Sequence, residues 1–330
     1  MKVDVQAVEE ELARIQRELT HSEVRTSLFN LVVMSPDAQQ NMVDDTLNYL
    51  LGKRAARVIH VANSDVAESR IDVSARCFVD REHKGVCFQE IVITNGRDGA
   101  GGAPGTWIPL LVRDIPTYVL WLDRLTGRDA LFTHVQTQAD KILLDADHCI
   151  ELGDDPDEVI AILRRVAVGE AVPVADFSWQ RLRPYRQLTA LAFNGERAEW
   201  LQEIAKVVVT GLPDMSVRYF GLWLAERLGW TPVEPLRFHD LHGRQVEIEA
   251  THGDGDCEVA IRVELNGDRS VVVRAFENGC ADVEYPGGAD EHIVTVPESG
   301  EILLEEVDAV YADGLFRDAL AGASLKPAAQ

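Results

Sequence analysis

The segment that decides the fold lies between residues 28 and 61. It reads LFNLVVM at 28–34, continues with SPD at 35–37 into an amphipathic stretch that ends near residue 51, and closes with RVIHV at 57–61. Two short apolar runs on either side of a segment with helical spacing are typical of a β-α-β unit with parallel strands and a right-handed connection. We therefore expect an α/β domain to begin here.

The neighbouring sequence extends this domain. An amphipathic helix is expected over residues 4–19, and an antiparallel hairpin over 70–79 and 86–94, where apolar and polar side chains alternate on both sides of a polar turn. A hairpin beside a β-α-β unit predicts a mixed sheet. The other predicted elements are helices at 107–112 and 156–168 and buried strands at 118–122 and 141–145.

The second half of the sequence has a different pattern. Residues 177–230 have mostly helical spacing, and short alternating runs follow them, with hairpin signals at Asn266-Gly267 and Asn278-Gly279. The alternating runs predict an antiparallel meander that ends in a strand near 292–296, before helical segments around 302–321. The predicted meander strands are 245–250, 258–265, 270–276 and 281–285.

Residues 169–173 interrupt the helical pattern, so we place an N-terminal domain at 1–170 and a C-terminal domain at 171–330. The expected fold class is α/β (α+β). It combines an N-terminal mixed-sheet α/β domain, which holds the β-α-β unit and the hairpin, with a helical linker region and a C-terminal antiparallel β-meander domain with helices.

Composition excludes several classes of function. The chain has 330 residues, 46% of them hydrophobic, and its 32 Lys plus Arg stand against 55 Asp plus Glu, a formal net charge of -23. This charge repels a phosphate backbone, so nucleic-acid binding is not expected. The start has no signal-peptide pattern, and no apolar run reaches the roughly 18–20 residues that span a bilayer. These features predict a soluble, acidic, cytoplasmic protein with no membrane partner.

A glycine-rich loop runs from Asn95 to Gly105, between a predicted strand and a predicted helix. Such a loop can present backbone amides to a phosphate, so one alternative is a nucleotide-binding enzyme with Asp123 near the ribose. The loop departs from the dinucleotide pattern, because Pro104 stands at the sixth place counted from Gly99, and the Gly-Lys-Ser/Thr of the other phosphate loop is absent from the sequence. The second interpretation is a surface loop, and no cofactor is expected.

Two histidines, His239 and His242, flank Asp240 before the predicted meander, with His252 further along. Zinc requires three or four convergent ligands, and proximity in sequence does not supply them. The interpretation we favour is exposed or capping residues. The common nucleophile motifs of hydrolases and transferases are absent from the sequence, so no catalytic or metal residues are assigned.

Cys77 and Cys87 fall on the two arms of the predicted hairpin. If Asp80 faces Lys84, the two cysteines lie opposite each other, at a separation that some cross-strand positions allow for a disulfide. They are a candidate redox pair, and one alternative for the chain is a thiol-responsive scaffold. The other interpretation is two small apolar residues on a core-facing strand surface, since reduced thiols are the expectation for a chain of this length with five cysteines.

Four segments share a resemblance that periodicity does not explain. They read RTSLFNLVVM at 25–34, PLLVRDIPTYVLW at 109–121, DFSWQRLRPYR at 176–186 and YFGLWLAERLGW at 219–230. In order and spacing they resemble the OpcA family of glucose-6-phosphate dehydrogenase assembly proteins. The C-terminus lacks the cysteine pair associated with redox control in cyanobacterial members, so redox regulation is not carried over.

The resemblance implies a non-catalytic protein that binds glucose-6-phosphate dehydrogenase and promotes its assembly or allosteric activation. Such a protein supports the oxidative pentose phosphate pathway through a protein–protein interaction, and the dehydrogenase carries the cofactor. This is the leading hypothesis for the chain.

The partner-binding candidates are Trp179, Arg181, Arg183, Tyr185 and Arg186, a basic and aromatic island in an acidic chain. Aromatic residues and arginines dominate binding hot spots, and guanidinium groups bind carboxylates in bidentate geometry. In the alternative interpretation the two rings pack inside the protein, and the arginines neutralise the chain's own acidic residues.

Overall fold

The computed structural model describes residues 4–20, 27–79, 85–99, 101–127, 129–169, 172–253, 257–309 and 311–323. The chain forms two compact units. The first unit consists of Met1–Asp154, Glu170–Ala175 and Glu298–Ala312, and the second of Asp155–Gly169, Asp176–Pro297 and Asp313–Gln330. The expected boundary near residue 170 falls where the chain returns briefly to the first unit, and it stays a prediction.

Helices and strands alternate through most of the described chain. The helices are α1 (Val5–Thr20), α2 (Gln40–Asn48), α3 (Pro104–Trp107), α4 (Asp129–Gln138), α5 (Ala146–Glu151), α6 (Pro156–Val168), α7 (Phe177–Arg181), α8 (Arg183–Ala192), α9 (Asp214–Leu228), α10 (Ser299–Asp308) and α11 (Gly314–Gly322). The strands are β1 (Phe29–Pro36), β2 (Ala56–Asn63), β3 (Arg70–Val79), β4 (Gly85–Asn95), β5 (Thr117–Trp121), β6 (Lys141–Leu144), β7 (Val174–Asp176), β8 (Ile204–Thr210), β9 (Thr231–Glu234), β10 (Arg237–His239), β11 (Gln245–Thr251), β12 (Val259–Leu265), β13 (Arg269–Ala275), β14 (Cys280–Tyr285) and β15 (Gly288–Ile293). Short 3₁₀ helices occupy Asp37–Gln39, Ile108–Leu110 and Gly195–Glu203.

The sheet of the first unit has the order β3-β4-β2-β1-β5-β6-β7. Strands β1, β2, β4, β5 and β6 pair in parallel, and β3 pairs antiparallel with β4. The predicted β-α-β unit, hairpin and mixed sheet are therefore confirmed. Because β2 and β5 lie on opposite sides of β1, the strand order reverses there, as it does in doubly wound folds.

Asn30 is the polar residue inside the apolar run of β1, and it joins the strand to the connection before β5. The side chain is fully buried. Its Nδ2 donates to the carbonyl oxygen of Val112 at 2.9 Å, and its Oδ1 accepts from the Val112 amide at 2.9 Å. A buried amide is stable when its donors and acceptors are paired, so Asn30 fixes the segment that follows α3.

Helix α1 lies against β3 and buries one side, as its spacing predicts. Val8 and Leu12 are buried on that side. Glu9 on the same helix binds the buried guanidinium of Arg57, with 2.7 Å between Oε1 and Nη1, while Arg57 Nε donates to Gln89 Oε1 at 2.8 Å. The paired charge therefore links α1 to strands β2 and β4.

Strand β1 is longer than the sequence pattern predicts, and α2 begins later than Ser35. The residue before a proline favours an extended backbone, which keeps Ser35 in the strand. Its hydroxyl lies 2.8 Å from Nε2 of His60 on β2, and both residues are fully buried. The helix follows only after the 3₁₀ turn that starts at Asp37.

This histidine predicts a pH dependence of stability. Burial, assisted by Arg76 and opposed by Asp44 and Asp37, lowers the pKa of His60 to about 4. The unfolded chain takes up a proton near pH 6.5, whereas the folded chain does not until about pH 4, so this contribution to stability is lost as the pH falls through that window. We expect the wild type to lose about 2 kcal/mol between pH 7 and pH 5 relative to His60→Gln.

Urea unfolding at both pH values measures this difference, and the exposed His134→Gln is the control. An equal pH dependence in the wild type and His60→Gln would contradict a neutral buried imidazole.

The sheet of the second unit has the order β15-β14-β13-β12-β8-β11-β10-β9. Strands β12 to β15 form the predicted antiparallel meander, and the two Asn-Gly turns join its strands. Two predictions are wrong here. β8 lies in the region predicted to be helical, and β11 pairs in parallel with β8 and not with the meander. The β-branched run at 207–210 favours a strand, and β8 fills the position between β11 and β12.

Candidate functional site

The Trp179–Arg186 segment lies inside the second unit, on α7, α8 and the residue between them. Asp176 caps α7, since its Oδ1 accepts from the Ser178 amide at 2.8 Å, and its Oδ2 accepts from the Tyr219 hydroxyl at 2.6 Å. The Trp179 indole donates to Asp313 Oδ2 at 2.8 Å, and the ring is fully buried. The cap and the indole bond fix the orientation of α7.

Of the five candidates, Trp179, Tyr185 and Arg186 are buried, and Arg181 and Arg183 are half-buried. The rings of Tyr219 and Phe316 pack around Trp179, with centroids 6.1 and 5.1 Å away. The two aromatic candidates therefore act in packing, and partner binding by this segment stays a prediction that rests on Arg181 and Arg183.

Arg186 lines a cavity of about 650 Å³. Its guanidinium lies over the Trp179 ring at 3.6 Å, and Nη2 donates to the Trp179 carbonyl oxygen at 3.1 Å. Nε and Nη1 have no hydrogen-bond partner among the described residues. Burial lowers the pKa of Arg186 to about 10, an effect that Asp313 opposes and that Arg183 and Arg227 reinforce. The charge is incompletely compensated where water is scarce.

Other polar residues of this cavity were missed from the sequence, among them Thr189, Arg227 and Asp313. Thr189 follows Arg186 by three positions on α8, which places both on one face of the helix. The sequence spacing could therefore have indicated that Thr189 lies beside Arg186. Arg227 comes from α9 and Asp313 from the start of α11, and only the tertiary fold brings them to the cavity.

A second cavity, of about 770 Å³, lies in the first unit at the carboxyl ends of β1, β2, β4 and β5. Asn95 Nδ2 donates to Asn63 Oδ1 at 2.8 Å, and Asn63 Nδ2 donates to Asp123 Oδ2 at 2.6 Å. Asp37 and Asp65 also line the cavity, and none of the described residues that line it is a Lys or an Arg. Ligands of doubly wound folds bind at this edge, but three carboxylates disfavour a phosphate group.

The glycine-rich loop is held by its own neighbours. Ser69 Oγ accepts from the amides of Gly96 and Gly101, both at 3.0 Å. A Cβ on Gly101 would lie 2.8 Å from Asn95 Cα, and one on Gly102 would lie 2.8 Å from Asn95 Nδ2. The glycines therefore allow close approach to Asn95, and two of the amides that a phosphate loop would present are already bonded. Nucleotide binding in this loop stays a prediction.

The remaining candidates have local explanations. His239 and His242 are exposed, and Asp240 Oδ1 accepts from the amides of His242 and Arg244, both at 2.8 Å. In the part of the chain that the structure describes, no group of three or more His, Cys, Asp or Glu side chains converges as metal ligands would. Likewise, none of the helices there combines the length and apolar composition needed to cross a membrane.

The hairpin register places Cys77 directly opposite Cys87, as the sequence predicts. Cys77 is disulfide-bonded, whereas the side chain of Cys87 lies outside the described residues. A redox role for this pair stays a prediction.

These features define a class: a protein with one doubly wound mixed sheet and one open mixed sheet, each with packed helices. Two family models match most of the chain. Residues 48–165 match the glucose-6-phosphate dehydrogenase subunit N-terminal domain, and residues 172–320 match the C-terminal domain of the same subunit. The chain belongs to the OpcA family of glucose-6-phosphate dehydrogenase subunits, which confirms the resemblance in the sequence.

Curated relatives named OxPP cycle protein OpcA include one from Synechocystis sp. and one from Nostoc punctiforme. The protein from Synechocystis sp. is 27% identical over 205 residues, which is 60% of this chain and 42% of the relative. The one from Nostoc punctiforme is 27% identical over 288 residues, which is 76% of this chain and 60% of the relative. The matched region thus spans about half of each relative's length.

Solved structures with a similar backbone fold include two proteins named as a dehydrogenase or a dehydrogenase homolog. The UDP-N-acetylglucosamine 3-dehydrogenase GnnA from Acidithiobacillus ferrooxidans matches with a TM-score of 0.46 and 13% identity, covering 89% of this chain and 92% of that one. An inositol dehydrogenase homolog from Azotobacter vinelandii matches with a TM-score of 0.44 and 12% identity, covering 90% and 84%. At such scores no site or activity is carried over from them.

Proposed function

We propose that this chain is a non-catalytic partner of glucose-6-phosphate dehydrogenase that supports the enzyme's assembly or activation in the oxidative pentose phosphate pathway. The observation that carries the proposal is the match of both halves of the chain to domains named for a subunit of that enzyme. The relatives named for the OxPP cycle support the pathway. Binding that prefers the active conformation or oligomer of the enzyme would shift its population without chemistry in this chain.

The turn after β1 supports a non-catalytic role. In dinucleotide-binding folds this turn is rich in glycine, and the helix that follows presents its amides to a pyrophosphate. Here β1 ends with Pro36, which has no amide hydrogen, and Asp37 follows as the first residue of the 3₁₀ helix. Asp37 Oδ2 also accepts from the Ser64 hydroxyl at 2.9 Å. Both features oppose the cofactor that a dehydrogenase of this topology requires.

For the contact with the enzyme we propose Arg181 and Arg183, which stay partly exposed while the buried Trp179 and Tyr185 fix their helices. Guanidinium groups on a rigid segment lose little conformational entropy when they bind carboxylates. The double charge reversal Arg181→Glu with Arg183→Glu is expected to weaken binding by about tenfold or more. Arg164→Glu with Arg165→Glu makes the same change on α6 and is the control.

The test titrates each purified protein into the glucose-6-phosphate dehydrogenase of its own organism and records the mass of the complex and the initial rate together. A complex with an altered rate, weakened only by the change at 181 and 183, is the expected result. Failure of the wild-type chain to form a complex or change the rate would reject the function, whereas equal loss in both double variants would reject only the contact.

A further inference from the structure

The cavity beside α8 in the second unit combines an apolar wall with buried polar groups that lack partners. Its volume is about 650 Å³, within the range of small-molecule pockets. The wall is formed mainly by aliphatic and aromatic side chains from the end of α8, the 3₁₀ helix after it, α9 and the sheet, among them Phe193, Leu201, Ile204, Trp223, Leu228 and Val263. Such a wall offers burial to an apolar ligand body.

Two side chains that line this cavity have unused hydrogen-bonding capacity. Arg186 is 6% exposed and Thr189 is 2% exposed, so both are more than nine-tenths buried. Within the described residues, Nε and Nη1 of Arg186 and Oγ1 of Thr189 have no hydrogen-bond partner. An unpartnered buried polar group costs folding free energy, and a charged one costs more, so such groups call for an explanation.

Asp313 is the acidic residue of the cavity lining, and it is already engaged by other donors. Its Oδ1 caps α11 by accepting from the amides of Leu315 and Phe316, at 2.9 and 3.2 Å. Its Oδ2 accepts from the Trp179 indole at 2.8 Å. Three donors therefore share this one carboxylate, and none of them is the Arg186 guanidinium.

We propose that the cavity binds a small amphipathic carboxylate, with the carboxylate on Arg186 and Thr189 and the apolar body against the helix and sheet side chains. A carboxylate oxygen accepts from a guanidinium nitrogen in a strong charge-assisted hydrogen bond, and a second oxygen accepts from the threonine hydroxyl. The ligand would compensate a charge that this chain leaves unpaired. This inference concerns the isolated chain and does not depend on binding to the dehydrogenase.

Decanoate is the probe, and decan-1-ol is its neutral counterpart with the same apolar chain. Isothermal titration calorimetry of the full chain is expected to show saturable decanoate binding that is at least tenfold tighter than decanol binding. The change Arg186→Met is expected to weaken decanoate at least tenfold and to leave decanol within about twofold. Arg164→Met removes a half-buried arginine from α6, outside this cavity, and should leave both ligands unchanged.

A second variant covers the case in which Arg186→Met does not fold. Ala190→Phe places an aromatic ring at the cavity lining without altering any charge, and it should abolish binding of both ligands while circular dichroism shows the native spectrum. Decanol that binds as tightly as decanoate, decanoate binding that survives both variants, or the absence of saturable decanoate binding would each overturn the proposal.

Discussion

Replacing Lys141 by methionine is expected to destabilise the first unit by about 3–5 kcal/mol. The ammonium group is 2% exposed, and all three of its hydrogens have acceptors. It donates to Glu306 Oε2 at 2.5 Å and to the carbonyl oxygens of Glu306 and Ala309 at 2.9 and 3.1 Å. The change takes the ammonium group away from the buried Glu306 carboxylate and from the C-terminal end of α10.

The expected result is a lower urea midpoint together with faster amide hydrogen exchange in residues 299–308. Arg54→Met is the matched control, because Arg54 pairs with Asp308 on the same helix, with 2.8 Å between Nε and Oδ1, but at an exposed site. Exposed pairs contribute less than about 1 kcal/mol. Adding Glu306→Leu to Lys141→Met should recover most of the loss, because an apolar pair then replaces the buried ion pair. Equal effects of Lys141→Met and Arg54→Met would contradict this role for Lys141.

Elements with a strong local pattern were predictable from the sequence. Strands β1 and β2 are indicated by apolar runs on either side of a segment with helical spacing. The hairpin of β3 and β4 is indicated by alternating apolar and polar side chains, and its polar turn predicts the register that places Cys77 opposite Cys87. The Asn-Gly turns of the meander were predictable because a two-residue hairpin turn requires a positive φ, which Asn-Gly pairs adopt readily. The structure has φ values of +76° at Gly267 and +78° at Gly279. In each case the residues that determine the element are close in sequence.

β8 was missed because it is a short strand between segments with helical spacing. It has seven residues, with Ala205 exposed and Lys206 half-buried near its start, and it lies between a 3₁₀ segment and α9. Its two neighbours, β11 and β12, follow more than 30 residues later in the sequence. The β-branched run at 207–210 favours a strand, but the strands that pair with it lie too far along the chain for the local pattern to reveal the pairing.

The candidate site was predictable in part for the same reason. The aromatic and basic segment was identified from its composition, but the burial of Trp179 and Arg186 depends on Tyr219, Asp313 and Phe316, which come from two other helices and the turn before α11. Composition shows that a segment is unusual. It does not show whether a guanidinium faces a partner protein or a cavity of its own chain.

Replacing Gly211 by alanine is expected to destabilise the second unit by roughly 3–4 kcal/mol. Gly211 follows β8 with a φ of +81°, a conformation that costs an L-residue about 1–2 kcal/mol. A Cβ at this position would lie 2.0 Å from the carbonyl oxygen of Glu258. Backbone atoms cannot rotate away as a side chain can, so β8 must shift relative to the start of β12.

The variant Gly267→Ala separates the conformational cost of a positive φ from the cost of the steric clash with Glu258. Gly267 has nearly the same φ, +76°, but no atom outside its chain neighbours lies within 4 Å of the position that a Cβ would take. This variant should lose only the conformational part, about 1 kcal/mol. The difference between the two free energies of unfolding, measured in urea, therefore reports the clash with Glu258 alone. If both variants lose the same amount, β8 and β12 tolerate a methyl group between them, and close approach is not the reason for glycine at position 211.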